Sequence, residues 1–167
     1  RLKDLATKGV KEVVLVAQDT SCYGKDIYGK PVLAKLLTKL EKIVDIKWIR
    51  LLYTYPEGVD DELLDVISKS YKICHYFDLP IQHINNEMLK LMGRNTTKEK
   101  IVELLKKIKK KMPDAILRTS LIVGFPTETD EQLEELRLFV KDGYFDRLGV
   151  FEYSKEDGTA AAKLKRQ

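Results

Sequence analysis

Residues 97–153 read TKEKIVELLKKIKKKMPDAILRTSLIVGFPTETDEQLEELRLFVKDGYFDRLGVFEY, and their reading decides the fold class. Ile101, Leu104, Leu105, Ile108 and Met112 recur at helical spacing behind Thr97, a side chain able to cap the first turn, and Pro113 stops the run. Ala115 to Val123 is then a strand. Asp130 to Lys141 is helical again, ending at Gly143, and Arg147 to Tyr153 is a second strand. A helix between two strands is the unit that joins parallel neighbours through a right-handed crossover.

The same alternation runs back to the start of the chain. Arg1 to Lys8 reads as the tail of a helix with Gly9 at its C-cap, and Glu12 to Ala17 (EVVLVA) as a buried strand. Residues 18–30 form a long polar loop. Val32, Leu33, Leu36, Leu37, Leu40 and Ile43 mark a helix with Pro31 in its first turn. Trp48 to Leu52 is a strand, and Asp60 to Ser70 a helix with Leu63, Leu64 and Ile67 inward. Tyr76 to Leu79 is a short strand, and Asn85 to Met92 a short helix. Five strands separated by helices define an α/β protein with parallel pairing, and a barrel and an open doubly wound sheet both satisfy the pattern. A repeating strand–helix pattern that opens in a helix implies a sixth strand upstream of Arg1. Residues 1–155 read as one barrel-type domain, and the small, polar residues 156–167 as a linker toward a further domain.

Composition narrows the class. Apolar residues make up 44% and charged residues 34% of the 167, which excludes disordered and membrane-embedded chains. No apolar run approaches a membrane span, and no signal-peptide pattern opens the chain. The formal charge of +4 comes from 30 basic and 26 acidic residues that are interspersed, so nucleic-acid binding has weak support. Lys106, Lys107, Lys109, Lys110 and Lys111 read as a solvated helix face. Cys22 and Cys74 form no CxxC pair and read as free thiols, which suits a reducing, cytoplasmic setting.

In parallel α/β folds ligands bind at the carboxyl ends of the strands. Those exits carry Gln18, Asp19, Thr20 and Ser21 with Tyr23; Tyr53, Thr54 and Tyr55; Gln82, His83, Asn85 and Asn86; Gly124 to Thr129; and Glu152, Tyr153 and Ser154. Convergent donors and acceptors of this kind suit a cofactor with amino, carboxylate and ribose groups. Each residue also has a plainer reading. Asp19 can cap a turn, His83 can be a turn or surface residue, and the GFPTET loop can be an ordinary strand–helix turn. Arg118, inside an otherwise mostly apolar strand, needs a partner: a carboxylate within the barrel or one on a ligand. No nucleophile–base constellation, phosphate loop or zinc motif is present, so the chain reads as a scaffold for a cofactor that brings its own chemistry.

VAQDTSCYG, YTYPEGV, YFDLPIQHINNEMLKLMGR, LRTSLIVGFPTET and FDRLGVFEYSKEDGTAAAKL resemble, in order and along the whole chain, the radical S-adenosylmethionine (SAM) methylthiotransferases. LMGR and GFPTET resemble the whole group. PIQHINN and FDRLGVFEYSKEDGTAAA are most similar to the RimO branch, which modifies an aspartate of a small-subunit ribosomal protein. The resemblance implies a partial parallel (β/α) barrel whose 4Fe-4S cluster is held by a CxxxCxxC motif and whose SAM is cleaved to a hydrogen-abstracting radical. That radical acts on the β-carbon of the target aspartate. A second cluster in an N-terminal domain, a further SAM as methyl donor and a C-terminal TRAM-type domain are also implied. By the same resemblance Gln18 and Asp19 lie near the SAM amine, Gln82 near the ribose or methionyl group, and Arg118 with Gly124, Phe125 and Pro126 near the carboxylate and adenine. Tyr23, Tyr53, His83 and Tyr153 fall on the substrate side.

The chain departs from the group in two ways. It lacks CxxxCxxC, so it is expected to hold no cluster and to be inactive alone, with the motif lying ahead of Arg1. Thr127 stands where the group commonly has Gly, so the turn after Pro126 is expected to differ. A monomer without membrane contact is expected. The competing expectations are a tRNA-adenosine methylthiotransferase, an aldolase-like barrel and a non-enzymatic interaction domain. The aldolase reading predicts a catalytic Lys or paired carboxylates at strand ends, which are not seen.

Overall fold

The structure, a computed structural model, describes residues 2–164; Arg1 and the last three residues of the expected linker lie outside the described residues. In chain order the elements are α1 (Leu2–Thr7), β1 (Glu12–Leu15), α2 (Lys25–Tyr28), α3 (Leu33–Glu41), β2 (Trp48–Leu51), α4 (Asp61–Lys69), β3 (Tyr76–Asp78), α5 (Asn86–Leu91), α6 (Lys98–Lys111), β4 (Ile116–Val123), α7 (Asp130–Lys141) and β5 (Arg147–Glu152). The tail adds a short 3-10 turn at Ala161–Lys163.

All strand pairs are parallel. β1 pairs with β2 (Glu12 opposite Trp48), β3 with β4 (Asp78 opposite Arg118) and β4 with β5 (Ser120 opposite Gly149). The β2–β3 junction is splayed. There the Ile49 N–H donates to Lys72 O (2.8 Å) and the Cys74 N–H to Ile49 O (2.9 Å), and at the other end the Thr54 N–H reaches Asp78 O (3.0 Å). The spatial order therefore equals the chain order, with no reversal. A doubly wound sheet requires a reversal, so the ambiguity left by the alternation resolves to a partial (β/α) barrel.

The outer face of the sheet is the core. Ile49, Leu51, Phe77, Leu79, Leu117 and Leu121 are buried beneath Leu37, Leu64, Ile67, Leu89, Leu105 and Ile108 of the helices. Burying each such side chain contributes roughly 1.5–3 kcal/mol. Helix starts follow the capping residues: Asp60 accepts from the Leu63 N–H (2.8 Å), and Thr129 forms a reciprocal capping box with Gln132. Alternate residues, among them Trp48, Arg50, Tyr76, Ile116 and Arg118, face the open inner side.

Three sequence expectations need correction. β1 is shorter than residues 12–17 and not buried: Val14 is 45% and Val16 59% exposed, because a strand paired along one edge keeps its inner face open. Residues 18–30 are not a featureless loop but contain a 3-10 turn at Thr20–Cys22 and α2. Pro31 precedes the N-cap of α3, Val32, and so lies outside its first turn.

Candidate functional site at the carboxyl ends of the strands

Three non-glycine residues adopt left-handed backbone conformations among the described residues: Tyr53 (φ 55°), Gln82 (φ 69°) and Thr127 (φ 75°). Each follows a different strand, β2, β3 and β4, at its carboxyl end. This conformation costs a side-chain-bearing residue about 1–2 kcal/mol, and such residues concentrate at functional sites. Their confinement to one rim makes that rim the candidate site independently of any resemblance.

Hydrogen bonds explain why the strain is held. Because Tyr53 turns left-handed, its N–H reaches Asp78 Oδ2 (3.1 Å) while its carbonyl accepts from the Thr20 N–H (2.9 Å). Thr20 Oγ1 donates to Leu52 O (2.6 Å), and buried Thr54 donates through Oγ1 to Asp78 O (2.9 Å). The exits of β1, β2 and β3 are thereby tied in series. Gln82 continues the series toward β4: its N–H donates to Ser120 O (3.0 Å), and its carbonyl accepts from the Ile122 N–H (2.8 Å). Behind this rim the Arg94 guanidinium lies 4.1 Å from the centre of the Tyr55 ring and donates to the carbonyl of Pro80, so the LMGR segment braces two exits at once.

Asp78 is the polar centre of the rim and was not singled out from the sequence. Its carboxylate is 1% exposed and accepts from Arg118 Nη1 (2.5 Å) as well as from Tyr53. The Arg118 side chain remains a third exposed, and the Asp78 carboxylate raises its already high pKa further, so it is charged at every relevant pH. The guanidinium therefore keeps N–H donors for a second anion. The available signal was the carboxylate closing the apolar strand YFDL, which an Arg in the neighbouring strand must meet.

His83 lies elsewhere than the substrate side. Its side chain is fully buried. Nδ1 accepts from the Asn85 N–H (3.0 Å), which leaves Nε2 as the donor to Glu128 Oε1 (2.9 Å). Glu128 in turn accepts from the Gly124 N–H with its other oxygen. The pair clamps the β4 exit loop to the β3 exit. Gly124 (φ 69°) thus spends its N–H inside the protein, and the Phe125 N–H has no partner among the described residues. Phe125 is 7% exposed and packs edge-on against Tyr153 (centroids 5.1 Å apart), whose buried hydroxyl has no partner among the described residues. Pro126 is buried beside them.

At the β1 exit Gln18 is exposed, whereas Asp19 caps the 3-10 turn. Asp19 accepts from the Ser21 N–H (3.0 Å), from Ser21 Oγ and from Cys22 Sγ (2.9 Å). That hydrogen bond to Asp19, followed by partial burial, pushes the Cys22 thiol up, and burial does the same to Cys74. Both stay protonated and are weak ligands in that form. Gly58 approaches Ser21 so closely that a Cβ there would overlap its side chain, which fixes the β1 exit against the turn after β2. Tyr23 and Tyr53 are exposed, at 48% and 44%. The exits near Gln18, Gln82 and Phe125 thus share one rim, with His83 beneath it.

A parallel barrel whose strained, hydrogen-bonded rim gathers at the carboxyl ends of its strands is the architecture in which barrel enzymes place their sites. The radical SAM superfamily model matches residues 1–140, and the chain belongs to that superfamily. It is 54% identical over 166 residues to the ribosomal protein uS12 methylthiotransferase RimO of Clostridium botulinum, and 53% identical over 165 residues to that of Alkaliphilus oremlandii; each match covers 99% of this chain. The chain spans 37% and 38% of the length of these two curated relatives. Among solved structures it is similar to the radical SAM methyltransferase TsrM of Kitasatospora setae with cobalamin and a [4Fe-4S] cluster bound (TM-score 0.67, 16% identity, 90% of this chain and 29% of that one). It is also similar to Elp3 of Methanocaldococcus infernus (TM-score 0.55, 16% identity, 96% of this chain and 42% of that one). At these identities the structural likeness bears on the fold alone.

Proposed function

We propose that this chain forms the SAM-facing rim of a radical SAM methylthiotransferase that inserts a methylthio group at the β-carbon of an aspartate in a small-subunit ribosomal protein. The observation that carries the reading is 54% identity to a uS12 methylthiotransferase over 166 residues, a span that takes in every strand exit described above.

The side chains fit SAM. Arg118, oriented by Asp78, offers its remaining N–H groups to a carboxylate. Gln18, with what acceptor capacity Asp19 retains, faces an amine. Gln82 lies toward the ribose or methionyl group, and the Phe125 N–H within the Gly124–Pro126 loop toward adenine. Tyr23, Tyr53 and Tyr153 lie on the substrate side, and His83 holds the loop from below. When bound, SAM supplies the hydrogen-abstracting radical and the transferred methyl group; the residues here bind, orient and shield it. The chain's own residues do not fit a 4Fe-4S cluster. It has two cysteines, and no group of three His, Cys, Asp or Glu side chains that could hold a metal occurs among the described residues. In this reading the cluster ligands belong to a part of the protein outside these 167 residues.

The test uses the full-length protein carrying this chain, purified without oxygen and supplied with SAM, a reductant and a sulfur source, against small ribosomal subunits and against tRNA. Mass spectrometry is expected to find one methylthio group on a ribosomal-protein aspartate. A methylthio-adenosine in tRNA, or no modification of either substrate, overturns the reading. Arg118→Lys keeps the charge but loses the fork, and should weaken SAM binding about tenfold, the loss expected for one charged hydrogen bond.

A further inference from the structure

A second surface lies on the shoulder of the same rim. Tyr23, Tyr28, Lys30, Val32, Lys35, Leu36 and Lys39 line a cavity of about 400 Å³ between the β1 exit loop and α3. The two tyrosines are 48% and 63% exposed, and all three lysines are exposed. No ion pair or side-chain hydrogen bond engages the ammonium group of any of the three among the described residues. Elsewhere Lys98, Lys107, Lys109 and Lys111 each pair with a carboxylate. Residues 23–42 hold five lysines (25, 30, 35, 39 and 42) against Asp26 and Glu41, and Glu41 is turned away toward Ser70 Oγ. Lys35 and Lys39 stand one helical turn apart, an arrangement of like charges that costs a helix a few tenths of a kcal/mol and draws anions. The loop carrying the rings is held in shape: the Val32 N–H donates to Tyr23 O (2.8 Å), and Gly24 (φ 81°) leaves no room for a Cβ against Val32 and Tyr28.

We propose that this surface binds a segment of single-stranded RNA, with its phosphates on Lys30, Lys35 and Lys39 and a base stacked on Tyr28 or Tyr23. Exposed tyrosines beside unpaired lysines are the combination that holds a strand through its backbone charge and the flat faces of its bases. An acidic peptide would use the charge but not the rings. Lys35 and Lys39 lie about 6 Å apart along the helix axis and can meet successive phosphates of an extended strand. The inference rests on this surface and is independent of the methylthiotransferase reading.

Fluorescence anisotropy of the whole chain with a labelled 12-nucleotide RNA of mixed sequence tests it. Three phosphate contacts predict a log–log salt slope near −2, so affinity should fall about 20-fold between 50 and 200 mM salt. Lys35→Ala with Lys39→Ala should weaken binding and flatten the slope to about −0.7. Tyr28→Ala should cost about tenfold with the slope unchanged, and Tyr28→Phe should restore binding. The matched pair Lys106→Ala with Lys110→Ala on α6 should change nothing. No binding at 50 mM salt, an equal loss in the α6 pair, or tighter binding of a polyglutamate peptide than of RNA overturns the proposal.

Discussion

Thr127 carries a branched Cβ in the left-handed region, at φ 75°, in the turn between Pro126 and the Glu128 that clamps it. A branched side chain gains nothing from this conformation and is crowded against the following carbonyl. The turn keeps its glycine-like shape because Glu128 is pinned from both sides, by His83 and by Gly124. A side-chain-bearing residue is thereby held in a conformation that favours glycine, and the turn stores strain. Thr127→Gly should stabilise the chain by about 0.5–1 kcal/mol, the relief of strain less the extra backbone entropy of glycine; urea unfolding measures it, and an unchanged or lower midpoint would contradict it. The departure at Thr127 was visible in the sequence, but its consequence was not, since that depends on a histidine 44 positions earlier.

Helices were largely legible and strands less so. Periodicity and caps recover α4, α6 and α7 to within a residue or two, because a helix buries one face in a pattern its own sequence carries. The burial of a strand depends on its neighbours, which is why β1 and β5 carry more exposed side chains than their composition implies. Contacts between elements are likewise silent in sequence. Glu135 of α7 accepts from Lys98 Nζ (2.7 Å) at the start of α6 and from Asn85 Nδ2 (2.7 Å) before α5. Those two hydrogen bonds, Lys98 first, lower its carboxyl pKa below the usual 4.5. A carboxylate depressed in the folded state stabilises the fold above its unfolded pKa, and that contribution is lost as pH falls through the folded value. Glu135→Gln should therefore lower stability by roughly 0.5–1 kcal/mol at pH 7, a modest figure because both partners are partly exposed. The gap should narrow as pH falls below the ordinary carboxyl value and toward the depressed one. Chemical denaturation at pH 7 and pH 3.5 checks this; a gap that persists in acid would assign the loss to packing.

Across the molecule, the inner face of the sheet is open. Trp48, the sole tryptophan, is 54% exposed there beside the Arg50–Glu12 pair. Its fluorescence should be red-shifted and readily quenched by acrylamide in the folded chain; a blue-shifted emission resistant to quencher would show that this face is covered. The amino-acid order alone established an α/β chain of parallel strands whose exits carry polar groups, because backbone periodicity and turn chemistry are local properties. It also showed Arg118 to need an anion, since a cation within an apolar strand must be neutralised wherever it lies. Only the packed barrel decided that the anion is Asp78 and that His83 braces the loop. The packing likewise decided that Tyr53, Gln82 and Thr127 share one strained rim. Those facts depend on strand order and on side chains tens of residues apart meeting in a low-dielectric interior, where each polar group must find a partner.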